Sequence, residues 1–478
     1  MNSLKSNVIL NFINTVTGII FPVITFPYAS RILMPEGIGI INFQTSIINY
    51  IVILTSLGIP MYAVREVAKY RDDTYTRNRI TVEILLLSVI LCVCGYIVVG
   101  LLASYIPQIH DNVQLFYVLS LTILFTGIGV QWFYQGIEDF KFITIRAVIV
   151  RILAAVCLFL FVKNSDDIII YGAVTVGTSA GNYIINFVHL HNYISFKELK
   201  WSELNVIRHM GPALHIFVLN LIISIYVNLN TVMLGFMQDD TSVGLYTAGS
   251  KLSHVILTAV TSIGAVMIPR CSNLIKTGNI AEFSRISSKA IRFVLILSLP
   301  CMVGIMLLAK PIIWILCGEE FMLSVPVLYW TAPIIVFISI TNFIGLQVLY
   351  PQNKENIVIW STVGGAFVNL LLNLVLIPIY SEKGAAISTF AAELMVLIVQ
   401  IVYGYKYIPI KLFDKRYLIY VWATVIMIIP ILFVLYFVKG YILQIVVSTI
   451  LGGIVYCGYL FLKKEEVFID IYKSVLRK

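Results

Sequence analysis

The residues best suited to chemistry lie inside long apolar runs. Asn42, Ser46, Asn49 and Ser56 recur at steps of four, three and seven, which keeps them on one helical face. Thr247, Lys251, His254, Thr258 and Thr261 form a second stripe, and adding 205 to the first set gives positions 247, 251, 254 and 261. Hydroxyl and amide side chains at this spacing also serve as ordinary glue between membrane helices. Lys251 argues against glue alone, because a cation about two turns inside an apolar helix, with a histidine one turn deeper, must face protein or a wet cavity. The two stripes therefore predict a polar cavity lined by both runs.

A third polar edge runs through Asn7, Asn11, Asn14 and Gly18, after which Pro22 and Pro27 interrupt the helix. Proline there marks either a static kink or a wall that bends. Arg151 lies two or three turns into its run and reads either as a cavity-lining cation or as a snorkelling one. Glu83 stands four residues from Arg79, a spacing that predicts an ion pair at the membrane surface. His215 opens another run and reads as an ordinary helix histidine. Glu393 sits mid-run, with Asn369 and Asn373 one turn apart on the preceding run. Their oxygens suit either a coupling Na⁺ or proton, or a neutral structural glutamate held by its neighbours.

The elements that must position these groups are membrane spans. Of 478 residues, 59% are hydrophobic and 12% charged, about half the charged fraction of roughly 25% in a soluble domain. Marking runs of about 20 apolar residues gives fourteen spans, near 8–28, 38–58, 81–106, 113–133, 142–162, 168–189, 211–236, 243–268, 290–316, 322–349, 357–379, 384–405, 417–438 and 440–462. An even number puts both termini on one side. The segments on that side hold 26 Lys and Arg, the opposite loops only Arg31, Lys163, Lys310, Lys383 and Lys439, and two cations, Arg151 and Lys251, lie within spans. The positive-inside rule then places both termini in the cytoplasm. The net charge of +9 belongs to loops facing anionic headgroups rather than to a nucleic-acid surface. The seven cysteines form neither a disulfide framework nor a metal site, and no cofactor is expected. The first span starts near residue 8 without a small-residue cleavage site, so no removable signal peptide is expected.

The chain repeats itself. Gly129, Gln131 and Tyr134 match Gly345, Gln347 and Tyr350 at an offset of 216, while Gly39 and Arg65 match Gly244 and Arg270 at 205. Six spans per copy preserve orientation, which predicts parallel repeats about an axis along the membrane normal. The expected organisation is an N-lobe over 1–200, a C-lobe over 205–410, and spans 13 and 14 with a basic tail over 411–478. The basic stretch Phe196–His209 is the linker.

The run FPYASRILMPEGIGIINFQTSIINYIVILTSLGIPMYAVREVAKYRDD from Phe26 resembles the N-terminal region of Wzx-type oligosaccharide flippases. These are polysaccharide-biosynthesis members of the multidrug/oligosaccharidyl-lipid/polysaccharide exporter superfamily. QWFYQGIEDFKFITIR, TVMLGFMQDDTSVGLYTAGSKL and NLLLNLVLIPIYSEKGAAISTFAAE are similar to theirs in family order, over roughly residues 1–410. Met34 departs from the pattern, since members commonly carry Gly there. The resemblance implies an all-α fold of two six-helix, MATE-like lobes with alternating access. It also implies a polyprenyl-pyrophosphate-linked oligosaccharide as cargo for O-antigen, capsule or exopolysaccharide synthesis. Arg31 and Lys251 fall where relatives carry basic residues. On that basis Lys251, with Arg31 and Arg151, is assigned to the diphosphate, and Asn42, Ser46, Asn49, His254 and Thr258 to the glycan. Pathway polymerases and glycosyltransferases are expected partners. A drug/cation antiporter or peptidoglycan-precursor flippase on the same scaffold is the nearest alternative, though spans 1 and 2 lack the acidic residue that such antiporters use. A membrane polymerase or transferase would need a sizeable outer loop and a nucleophile–base pair, and neither is present in the sequence.

Overall fold

The computed structural model describes residues 4–194, 199–412 and 414–476. Within these, the side chains of 4–9, 11, 12, 215, 218–220, 222–225, 259, 262–266, 471 and 474–476 are not described. The expected roles of Asn7, Asn11 and His215 therefore lie outside the described side chains. Two compact units divide the chain, residues 1–244 and 245–478.

In the first unit, α1 (Leu4–Ser56) carries the first two expected spans. It is broken at Met34, whose φ of 58° and ψ of 176° leave the helix. Helix α2 (Ile59–Lys69) follows a left-handed Gly58. Asp73 then caps α3 (Thr74–Tyr105) by accepting from the Thr76 amide at 3.1 Å. A single turn, α4 (Pro107–His110), leads to α5 (Val113–Ile128) and the short α6 (Gln131–Gly136). Asp139 caps α7 (Phe140–Phe161), and α8 (Ile168–Leu190) and α9 (Met210–Met237) complete the set. The expected seventh span is thus packed against α1 and α2 in this unit.

Helix α10 (Asp240–Lys276) leads into the second unit, followed by α11 (Ile280–Leu307), α12 (Ala309–Cys317), α13 (Val325–Thr331) and α14 (Ile334–Asn342). A π-helical stretch, Phe343–Leu349, continues α14. Helix α15 (Glu355–Gly404) holds expected spans 11 and 12, broken at Ser381 with φ 50°. Helices α16 (Leu418–Phe437) and α17 (Tyr441–Leu462) pair with each other, and the amphipathic α18 (Glu466–Leu476) ends the described chain. Lys289 holds α18 through Asp470 at 2.6 Å, and Arg292 does so through Glu466 at 2.8 Å.

Among the described residues there is no strand, and ten helices are long and apolar enough to cross a membrane. That is fewer than the fourteen apolar runs, partly because two of the ten, of 57 and 53 residues, each contain two runs joined through a kink. Their outward faces are apolar: Val93, Ile97 and Leu101 on α3 and Ile152, Leu153 and Leu160 on α7 are exposed. Such faces are stable only against acyl chains. The protein is a multi-pass helical membrane protein.

Candidate substrate-binding surfaces

In the first unit α7 lies along α1, pinned at three levels. Thr144 Oγ1 donates to the Leu10 carbonyl at 3.0 Å, and Tyr28 OH donates to that of Val162 at 2.8 Å. Between them the Arg151 guanidinium donates to the Asn14 carbonyl (2.9 Å), Asn14 Oδ1 (3.0 Å) and Thr17 Oγ1 (2.7 Å). Arg151 therefore does not snorkel; it is fixed against the polar edge of the first span. Gly18 is part of the same arrangement, since a Cβ there would stand 3.3 Å from Arg151 Nη2.

Beyond the kink at Met34, the stripe of the second span is partly covered. Ser46 is buried, Asn42 and Asn49 are half-buried, and the Asn42 amide donates to its own helix at the Ile38 carbonyl (2.7 Å). Arg31, just before the kink, is exposed. The repeat-related glycines Gly39 and Gly244 mark where helices nearly touch. A Cβ at Gly39 would lie 1.6 Å from the Asp240 carbonyl oxygen, and one at Gly244 1.9 Å from that of Pro35. Only hydrogen fits at either place.

On α10, Lys251 is half-buried while His254 and Thr258 are exposed. Thr258 Oγ1 donates to the His254 carbonyl at 2.8 Å, which leaves its oxygen lone pairs free to accept. A histidine and a threonine open at mid-span are tolerated where water or a polar ligand reaches them, and costly against acyl chains. In α15 the chain folds back at Ser381, so Gly365 packs on Ala392 and Val396. Asn369, Asn373 and Glu393 are all buried there, and Asn373 Nδ2 donates to Asn369 Oδ1 at 3.2 Å. Among the described residues, no group of three His, Cys, Asp or Glu side chains is placed to hold a metal ion.

Two clusters were not visible in the sequence. Glu83 forms the expected ion pair with Arg79 and is fully buried in protein. It accepts from the Asn205 amide (2.8 Å), from Arg208 Nη2 and from His209 Nε2 (2.8 Å), with Arg79 further off at 3.8 Å. Tyr62 OH lies 2.7 Å from His209 Nδ1, so a neutral ring with its proton on Nε2 satisfies both neighbours. Burial holds the His209 ring below its ordinary pKa, in agreement with that state. The second is Arg146, which the sequence places among the loop cations. It is only 4% exposed, with Nε donating to Asn182 Oδ1 (3.0 Å) and Nη2 to Gln131 Oε1 (3.4 Å). Its burial follows from tertiary packing of α7 on α8 and α6, for which a single sequence carries no signal.

This architecture defines a class: a polytopic helical membrane protein with the fold of the multidrug and lipid-linked-precursor exporters. It is similar to "Lipid II flippase MurJ" in an inward closed conformation, at TM-score 0.73 and 14% identity over 99% of this chain and 100% of that one. It is also similar to an inward-facing multidrug resistance MATE family transporter of the MOP superfamily, at TM-score 0.63 and 12% identity over 81% and 94%. The MatE family model matches residues 216–375, and the family model described as "Polysaccharide biosynthesis protein" matches 4–275. The chain belongs to the polysaccharide biosynthesis protein family. A relative in Escherichia coli K12, named "Putative O-antigen transporter", is 25% identical over 400 residues, 82% of this chain and 95% of its own. The Bacillus subtilis lipid II flippase MurJ is 26% identical over 229 residues, 44% of this chain and 41% of its own.

Proposed function

We propose that the protein flips polyprenyl-pyrophosphate-linked oligosaccharide repeat units from the cytoplasmic to the outer leaflet for surface polysaccharide synthesis. The observation that supports this reading is the similarity, across 82% of this chain and 95% of the other, to the E. coli relative named for O-antigen transport. The chemistry agrees with it. A diphosphate and a glycan cannot cross hydrocarbon, and a polyprenyl chain cannot leave it, so the carrier needs polar, cationic surface at membrane depth beside apolar surface. Lys251 offsets diphosphate charge, with Arg31 as a second cation, and Asn42, Ser46, Asn49, His254 and Thr258 offer hydrogen bonds to sugar hydroxyls. Arg151, held by Asn14 and Thr17, shapes the wall of the first unit. Transport proceeds by alternating access of two lobes. Glu393, Asn369 and Asn373 provide the site for a coupling Na⁺ or proton. Both termini lie in the cytoplasm, a reading supported by the excess of Lys and Arg on one set of loops, and polymerases and glycosyltransferases of the same pathway are the partners.

A lipid II-like precursor is the second reading, favoured by the partial match to the Bacillus flippase. Deleting the gene in its own host and complementing with wild type or Lys251→Ala tests the first. Wild type restores surface polymer and Lys251→Ala, present in the membrane at equal amount, does not. Normal polymer in the deletion strain, or with Lys251→Ala, contradicts the proposal.

A further inference from the structure

The first unit contains a cavity of about 220 Å³ where the second span ends and the fourth is interrupted. Its polar lining comes from Ser56, Ser88, Thr126, Gln131, Gln135 and Tyr183, with Trp132 beside them and no charged group. The interruption itself is informative. Between α5 and α6, Gly129 takes extended backbone (φ −73°, ψ 102°), and a Cβ on it would come within 2.2 Å of the Tyr183 ring. The Gly129 amide returns to the Thr126 carbonyl at 3.2 Å, but the carbonyls of Gly127 and Ile128 fall where intrahelical donors run out. Broken backbone at membrane depth persists where it meets protein or a wet cavity, and broken helices are where carriers of this general kind place their ligands.

A second cavity, of about 320 Å³, occupies the corresponding place in the second unit. Thr261 lines it as Ser56 lines the first, at the 205 offset, and Gln347 as Gln131 does, at 216. There too the helix is irregular, through the π-helical stretch that contains Gln347, a feature that recurs at functional sites. The remaining walls differ: Val260, Met267, Phe293, Val294 and Val467 give most of the surface, Ser339 and Asn342 add polar atoms, and the Lys289–Asp470 ion pair is part of the lining. The duplicated hollow is thus polar and uncharged in one copy, and mainly apolar with an ion pair in the other.

We propose that the cavity of the first unit is a saccharide subsite, one that recognises a single sugar residue of the cargo; this rests on the reading of the protein as a carrier of lipid-linked oligosaccharide. Hydroxyls and primary amides give and accept in pairs that match neighbouring sugar hydroxyls, and Trp132 and Tyr183 offer flat apolar faces to the C–H face of a pyranose. Arg146 donates to Gln131 Oε1, so the Gln131 contribution to a ligand would be as a donor through its NH2 group. The volume equals roughly seven waters at about 30 Å³ each, enough for one ring and too small for a whole repeat unit. The absence of lining charge sets the diphosphate elsewhere.

The test uses full-length protein in lipid nanodiscs and four probes: polyprenyl diphosphate alone, and the same lipid carrying one hexose, one N-acetylhexosamine or one hexuronic acid. The expected result is that wild type binds at least one sugar-bearing probe roughly tenfold tighter than the bare lipid. Gln131→Ala and Gln135→Ala should each bring that ratio to within about twofold, with bare-lipid affinity unchanged as proof of folding, while Gln347→Ala in the other cavity keeps it. A wild-type ratio near one for all three sugars, or a ratio that survives both substitutions, overturns the subsite and leaves the carrier reading standing. Failure of wild type to bind any of the four probes overturns both.

Discussion

The second span and its repeat equivalent, the first transmembrane stretch of α10, present the same positions with different chemistry. Asn42, Ser46 and Asn49 in one correspond to Thr247, Lys251 and His254 in the other. The hollows at the ends of these stripes also diverge, uncharged and more polar in the first unit, more apolar but with an ion pair in the second. In these two stripes the duplicated scaffold carries its ionisable groups in one copy and its amides in the other. An amphipathic cargo with charged, hydroxylated and apolar parts makes such division useful, because each surface need satisfy one chemistry only.

The largest expected effect comes from exchanging that division. Lys251→Ala should lower polymer output about a hundredfold, as loss of a charge-assisted contact worth about 2.7 kcal/mol would. Its repeat equivalent Ser46→Ala should lower it no more than about fivefold, since a single neutral hydrogen bond is worth about 1 kcal/mol. Equal effects, measured at matched protein level, would erase the asymmetry. Next in size is Arg151→Ala, which removes three hydrogen bonds from a charged group to α1. It should cost about 2 kcal/mol and lower Tm by about 5 °C, and Arg151→Lys should recover only part, because all three bonds leave one nitrogen, Nη1, to which the shorter lysine side chain does not reach in the same geometry. A Tm within 1 °C of wild type for Arg151→Ala, on a scale where about 1 kcal/mol moves Tm by 2–4 °C, would show that the pairing holds nothing.

Smaller effects sharpen the comparison of the two kinks. Met34, at φ 58°, occupies backbone that favours glycine, at a strain of order 1 kcal/mol. Met34→Gly should raise Tm by about 2–4 °C; a fall would mean that the Met34 side chain contributes more packing than its backbone strain removes. The smallest effect concerns Asp240, beside the Gly39–Gly244 approach. Burial, with repulsion from Glu36, Asp239 and Asp111, pushes its carboxyl from 3.8 up to about 6. The folded state therefore binds this proton more tightly than the unfolded chain. The resulting stabilisation is full below the ordinary carboxylate range and is lost as pH rises through about 6. Asp240→Asn should exceed wild type in Tm by roughly 2 °C at pH 8, discounted for partial exposure, with the gap closing near pH 3.5. A gap independent of pH would assign the gain to something other than this titration.

Much of the fold was legible because a bilayer imposes simple rules: run length reveals spans, and helical spacing reveals faces. The stripes, the repeat and the Gly39–Gly244 correspondence all came from such periodicity. What stayed hidden depends on which helix lies beside which. Asn14 and Arg151 were each recognisable as unusual, yet their pairing needs the register of α7 on α1. Arg146 passed for a loop cation because it stands about one turn inside its apolar run, and its partners Asn182 and Gln131 come from other helices. Glu83 was read against Arg79, its neighbour in sequence, although Arg208 and His209 reach it from more than a hundred residues away. The break at Gly129 and the π-helical stretch at Gln347 depend on local backbone geometry, which apolar periodicity does not record.

The most direct test is transport itself in proteoliposomes, with a fluorescent polyprenyl-diphosphate oligosaccharide in both leaflets and a membrane-impermeant quencher outside. With wild-type protein the account predicts that the inner-leaflet half of the signal is lost as lipid crosses, and that Lys251→Ala vesicles keep it. Retention of that half with wild type, as in protein-free vesicles, would contradict the central claim.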